Sequence, residues 1–230
     1  ICPVGQDGRH LERINVPMVT VDRHFPQLKC ACVISDNYQG ALSAVNHFIE
    51  NGHRIIACIQ GLLHTSANEA RVSGYQDALK MHGIPIVKSL IVGNSFGERN
   101  GYVSAKLLLN RVRKPTAIFA CSNLISLGAM RAISEEGLKI PDDISIIAFD
   151  DQPYYQYMSP PMTTVVQQNI EMGQIAVKML IDQIEYNYQS DTNCVVLPTK
   201  LVKRKSVKRR TPITHELEDN GEIEIKNKVK

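Results

Sequence analysis

The chain reads as a doubly wound α/β protein built on parallel sheets, and three observations predict it. Short, nearly continuous apolar runs recur: RIIACIQG (54–61), KSLIVG (88–93), PTAIFAC (115–121) and ISIIAF (144–149). Such runs suit parallel strands covered on both faces. Helix-period stretches separate them, the strand–helix–strand repetition of a doubly wound sheet. Finally, ISIIAF runs straight into two aspartates, Asp150 and Asp151, at the carboxyl strand end where open α/β sheets hold their ligands.

The helices follow in order. GALSAVNHFIENGH has Asp36 and Asn37 as start signals and Gly52 as its stop. RVSGYQDALKMHG ends at Gly83 and LISLGAMRAISEEG at Gly137, each glycine suited to a left-handed cap. Pro160 and Pro161 forbid helix and hold the chain extended through YMSPPMTTVVQQ. The amphipathic stretch NIEMGQIAVKMLIDQI (169–184) then puts Met172, Ala176, Met179, Leu180 and Ile184 on one stripe. An extended crossover before a helix would suit a chain passing between two lobes.

Composition narrows the function. With 230 residues, 43% hydrophobic and 21% charged, the chain has a soluble globular balance and room for one or two domains. No run approaches the roughly 18 apolar residues of a membrane span, and no secretory leader pattern opens the chain. The six cysteines are scattered without a CxxC pair, several of them inside apolar runs, where a free cysteine behaves as a small hydrophobe. That spacing supports neither a disulfide framework nor a zinc site, so no metal or cofactor is expected and a reducing cytoplasm is the expected home.

Residues 203–230 hold nine Lys/Arg and five Asp/Glu, leaving 17 basic and 18 acidic residues in the rest of the chain. A near-neutral body is not a surface built to neutralise phosphates. The cluster KRKSVKRR (203–210) reads as a solvated end rather than a nucleic-acid patch, and 208–230 as a mobile charged tail. Catalysis is not expected either. The sequence has no P-loop, nucleophile elbow, HExxH, or GxGxxG after a strand. Asp150 and Asp151, neighbours at a strand end, point to opposite faces and would not pair across a substrate.

A set of blocks is more specific: INVPMVTVDR (14–23), VISDNYQGALSAVNHFIENGHRIIACIQG (33–61), ARVSGYQDAL (70–79), FGERNGY (96–102), KPTAIFACSNLISLGAMRAISEEGLKIPDDISIIAFDD (114–151), PPMTTVVQQNIEMGQIAV (160–177) and LPTKLVKRKS (197–206). In this order they closely resemble the effector-binding core of the LacI/GalR family of bacterial transcriptional regulators, which shares its fold with type I periplasmic sugar-binding proteins. The resemblance implies a two-lobed core, with residues 1–37 and 166–190 in an incomplete amino-terminal lobe and 38–165 and 191–207 in the other. It implies a homodimer that binds a sugar, sugar phosphate or nucleoside between the lobes and reads operator DNA through an upstream helix-turn-helix head, which does not precede Ile1. A periplasmic sugar-binding protein of a transport system is the alternative.

Site residues follow from the same blocks. Asp150 resembles the family's sugar-gripping aspartate, since a carboxylate accepts hydrogen bonds from neighbouring hydroxyls; its plain alternative is a solvated loop or helix-cap aspartate. Asp151 reads as a helix cap. Arg71 resembles the arginine that donates to effector, its fixed donors suiting vicinal oxygens, against a surface helix arginine. Phe96 resembles the aromatic that flanks the sugar, against a phenylalanine that only packs the lobe. Gln167 resembles a crossover glutamine, against a strand-end one. Ser122 and Asn123 depart from the family's commoner Asn-Asp and carry over only a polar contact. Asp22 resembles a residue facing the cleft from the other lobe, against a strand-end cap.

Overall fold

A computed structural model describes residues 16–185 and 193–210, together with Gly8, Leu11 and Arg13. Its strands fall into two sheets. The larger is built from β3 (Ile56–Ile59), β4 (Ile91–Val92), β5 (Ala117–Ala120), β6 (Ser145–Phe149), β7 (Thr163–Val166) and β9 (Lys200–Val202), in the order β4-β3-β5-β6-β7-β9. Every pairing is parallel except β7 with β9. The central strands β3, β5 and β6 are wholly buried, which is why they read as unbroken apolar runs.

Helices α1 (Asn37–Glu50) and α2 (Ser66–Met81) pack on each other, as do α3 (Glu98–Leu109) and α4 (Asn123–Glu135). The two pairs sandwich the sheet around a continuous core that includes Phe48, Tyr75, Phe119, Ile146 and Phe149. Asp36 caps α1 by accepting from the Gln39 N–H at 2.9 Å. Gly83 and Gly137 take positive φ, +66° and +69°, where α2 and α4 turn back into the sheet. Helix α3 goes beyond what the periodicity predicted.

The smaller sheet is β1 (Val19–Val21), β2 (Ala31–Ser35) and β8 (Cys194–Leu197), all parallel, in the order β1-β2-β8. Helix α5 (Asn169–Glu185) lies on β1 and β2. Met172 and Ala176 are buried there with Met179 and Leu180 against them, whereas Ile184 is 63% exposed. The apolar stripe thus holds over its first three turns and leaves the sheet at the last. The second-lobe assignment of 191–207 is corrected by the pairing: Cys32↔Cys194 through Ser35↔Leu197 put β8 in the smaller sheet, and the chain rejoins the larger one at Lys200.

KRKSVKRR is not a solvated end. Side chains 204 and 206 turn inward, Ser206 being fully buried, while 203, 205 and 209 face out. The Ser206 hydroxyl donates to the Ile146 carbonyl (2.6 Å) and accepts from the Thr163 N–H (2.8 Å). Lys208 reaches Asp142 (2.7 Å), and the Arg210 guanidinium donates to the Asp143 carbonyl (2.7 Å). Residues 208–210 are therefore docked; 211–230, the rest of the expected tail, lie outside the described residues. Among the described residues no helix is long and apolar enough to cross a membrane.

Candidate ligand-binding cleft

Two strand ends aim carboxylates at each other across the gap between the sheets. Asp22 leaves β1 with φ +69° and Asp150 leaves β6 with φ +72°. This left-handed conformation is one that aspartate tolerates better than most residues. Each is pinned by its backbone: Asp22 N–H donates to the Val33 carbonyl and Asp150 N–H to the Val165 carbonyl, both at 2.9 Å. Between them lies a cleft of about 220 Å³ lined by Asp22, Arg23, Ala67, Arg71, Phe96, Ser122, Asn123, Leu124, Asp150 and Gln167. It gathers all seven residues singled out from the sequence.

Arg71 is only 3% exposed, so it is no surface helix arginine. Its Nε donates to Asn37 Oδ1 (2.8 Å) and its Nη1 to the Cys121 carbonyl (2.6 Å). The guanidinium lies flat on the Phe149 ring, 3.6 Å from its centroid, a cation–π stack worth about 2 kcal/mol when desolvated. These contacts fix the fork and leave Nη2 as the nitrogen to serve a ligand. Asn37, read from the sequence as a helix start signal beside Asp36, is a positioning residue for Arg71: its Nδ2 donates to the Ser35 carbonyl at 3.0 Å, which holds Oδ1 toward the arginine.

Gln167 donates through Nε2 to Asp150 Oδ1, while its Oε1 is buried with no hydrogen-bond partner. A buried acceptor left unpaired beside a cleft is a natural seat for a ligand hydroxyl. Ser122 caps α4 by accepting from the Ile125 N–H (3.2 Å), and its own proton goes to the Phe96 carbonyl (3.1 Å). It orders the wall more than it offers a donor. Asn123 Oδ1 accepts from the Leu124 N–H at 2.9 Å, which leaves its amide for the cleft. Phe96 both packs on the larger core and lines the cleft. Gly61 stands behind it, where an added Cβ would overlap the ring.

Electrostatics separate the aspartates. Burial pushes the Asp22 carboxyl above its usual range, and the facing Asp150 adds to this while Arg71 opposes it. Asp151 is not a helix cap. It forms a two-pronged ion pair with Arg204, Oδ1 to Nη1 at 2.9 Å and Oδ2 to Nη2 at 2.8 Å, and accepts from the Thr164 hydroxyl at 2.9 Å. Burial works to raise its pKa, but Arg204 and Thr164 outweigh it and hold the carboxyl low. Asp150 instead lines the cleft and accepts from Gln167, so the pair is one cleft carboxylate and one structural tie.

Sequence reasoning missed Arg23, Ala67 and Leu124 in the lining. Arg23 stands beside Asp22, and Leu124, 47% exposed in the first turn of α4, carries a signal only once that helix is known to open on the cleft. The cysteines also depart from expectation. Cys32 and Cys194, directly opposed on β2 and β8 and 162 positions apart, form a disulfide, whereas spacing alone suggested none.

Residues 45–207 match the family described as the periplasmic binding protein-like domain. The chain is 34% identical over 194 residues to the ribose operon repressor of Haemophilus influenzae, covering 84% of this chain and 58% of that protein. It is 35% identical over 194 residues to the HTH-type transcriptional repressor PurR of Photorhabdus laumondii, covering 84% and 57%. It thus spans somewhat over half the length of these repressors. Among solved structures, a regulatory protein of the LacI family from Chloroflexus aggregans has a TM-score of 0.77 at 30% identity, over 88% of this chain and 72% of that one. A LacI family transcriptional regulator from Enterococcus faecium with bound ribose has a TM-score of 0.77 at 27% identity, over 85% and 72%.

Proposed function

Because this chain belongs to the LacI family of transcriptional regulators, in its periplasmic-binding-protein-like domain, we propose that it is the effector-sensing core of such a regulator. The observation that carries this is the cleft itself, where acceptors and donors converge from both sheets on one small volume. Asp22, Asp150 and the unpaired Gln167 Oε1 accept; Arg71 and Asn123 donate; Phe96 offers an apolar face. A volume of about 220 Å³ falls below the roughly 300–1,000 Å³ of pockets for drug-sized ligands. It suits a compact polyhydroxylated molecule: a sugar, sugar phosphate or nucleoside. The separated roles of Asp150 and Asp151 favour gripping over catalysis, and the repressors among its relatives favour regulation over transport.

Effector binding then favours one arrangement of the two lobes, to the extent that it binds that arrangement more tightly. In a cytoplasmic homodimer this would alter operator reading by a separate DNA-binding module, which presents side chains to base edges. The test is a thermal-shift screen of the chain against sugars and nucleosides, since a native-state ligand raises Tm, followed by calorimetry on Asp150→Ala. Losing hydrogen bonds to a charged acceptor costs about 1.5–3 kcal/mol, roughly ten- to a hundredfold in Kd. An unchanged Kd in a folded variant removes Asp150 from the site.

A further inference from the structure

Beside the cleft, three metal-binding side chains from three segments converge. His24 follows β1, Cys32 lies on β2 and Cys194 opens β8, and their ligand atoms all lie within 4.8 Å of one another. We propose that, with the Cys32–Cys194 disulfide reduced, these residues form a three-ligand site for a thiophilic transition metal such as zinc(II). The proposal is independent of the effector reading.

Two ligands on one tetrahedral zinc, sulfur at about 2.3 Å and nitrogen at about 2.0–2.1 Å, stand about 3.6 Å apart. His24 Nδ1 and Cys32 Sγ are 3.5 Å apart. Cys32 and Cys194 are direct partners in the parallel ladder with Cα atoms 4.5 Å apart, so both side chains leave the sheet on one face. Two thiolates on that ion stand about 3.8 Å apart, a separation reached by turning side chains about their Cα–Cβ bonds once the disulfide opens. Cys32 is buried while Cys194 reaches solvent, which gives the ion a route in. His24 is anchored through its backbone N–H, which donates to Ser66 Oγ at 3.1 Å in the first turn of α2. Two thiolates and an imidazole suit zinc or copper(I), and a fourth position stays open to water.

The chemistry balances simply. A dithiol reductant takes the disulfide's place in the oxidised couple, leaving Cys32 and Cys194 as thiols. The metal then binds both as thiolates and releases two protons, while neutral His24 donates a ring lone pair. Because His24 lies two residues from Asp22, occupancy would fix the loop that carries one cleft carboxylate.

The test uses the full 230-residue chain, reduced with a dithiol and then exchanged into zinc under anaerobic conditions. Competition with a chromophoric chelator and elemental analysis should find one tightly held equivalent. The oxidised chain should hold none, Cys194→Ser and His24→Gln should bind at least tenfold more weakly, and Cys30→Ser should bind as the unmutated chain. Cobalt(II) in the unmutated reduced chain supplies a readout that needs no variant: thiolate charge-transfer bands with the intense visible absorption of a tetrahedral site. No stoichiometric zinc, no such bands, or full retention in both Cys194→Ser and His24→Gln would overturn the assignment.

Discussion

The larger lobe buries its central strands completely and surrounds them with two helix pairs, whereas the described residues of the smaller rest on a cluster of Val19, Ala31, Val33, Met172, Ala176 and Leu197. Its helix α5 leaves Ile170, Val177, Ile181 and Ile184 exposed. The lobes contribute to the cleft in the same proportion. Ala67, Arg71, Phe96, Ser122, Asn123, Leu124 and Asp150 stand on the larger lobe, Asp22 and Arg23 on the smaller, and Gln167 on the crossover between them. Segments with few buried apolar contacts open at lower free energy than a dense core. Among the described residues, the larger lobe thus supplies most of the cleft's firmly packed wall.

The largest effect should come from cutting into the core of the larger lobe. Phe119→Ala removes a fully buried ring edge-on to Phe149 and should destabilise by about 3–5 kcal/mol, against at most about 0.5 kcal/mol for Ile181→Ala on α5. Denaturant melts of the two variants measure the asymmetry, and equal losses would erase it.

Acid should sharpen the contrast next. His53 is fully buried, its Nε2–H donating to the Lys208 carbonyl at 3.1 Å and its Nδ1 accepting from the Thr116 hydroxyl at 2.9 Å. Burial, helped by Arg210, lowers its pKa to about 4. Below the ordinary value near 6.5 the unfolded chain takes up a proton that the folded chain refuses. His53's contribution is therefore complete above about pH 6.5 and falls away toward pH 4, by up to about 3 kcal/mol. Melts across this range should show the loss in the native chain and a flatter profile in His53→Gln.

The smallest effect has the opposite sign. Asp22's raised pKa means that the folded chain holds this proton more tightly than the unfolded one, so stability falls as pH rises above the ordinary carboxyl range. Asp22→Asn keeps a side chain at ease with positive φ and should raise Tm slightly at pH 7 while weakening effector binding. Calorimetry beside a thermal melt checks both signs; a lower Tm would mean that the carboxylate stabilises the empty cleft.

The same asymmetry governs how much the sequence disclosed. Strands β3, β5 and β6 announce themselves because burial on both faces leaves them no polar positions. KSLIVG also reads as a strand, but only its Ile91–Val92 forms one, Lys88–Leu90 coiling into a short 3-10 turn; α3 exposes Val103 and Leu107, which blurs its apolar face. The cleft residues were legible through family resemblance and through their place at strand ends. What stayed hidden depends on chain crossings. The Arg204–Asp151 pair spans 53 positions and the Cys32–Cys194 pair 162, and neither partner carries a local sign of the other. β8 went to the wrong lobe for the same reason: its apolar run suits either sheet, and only pairing decides.

Gly61 has a consequence for ligand size. Phe96 lies back against the space that its missing side chain leaves, so even a methyl group there would press the ring toward a cleft of only about 220 Å³. Volume surrendered to the ring is volume withdrawn from the guest. Selection by shape and selection by functional group are thereby separately adjustable: the polar side chains choose which groups are welcome, and one hydrogen atom at position 61, out of the ligand's reach, sets how large a molecule they can welcome.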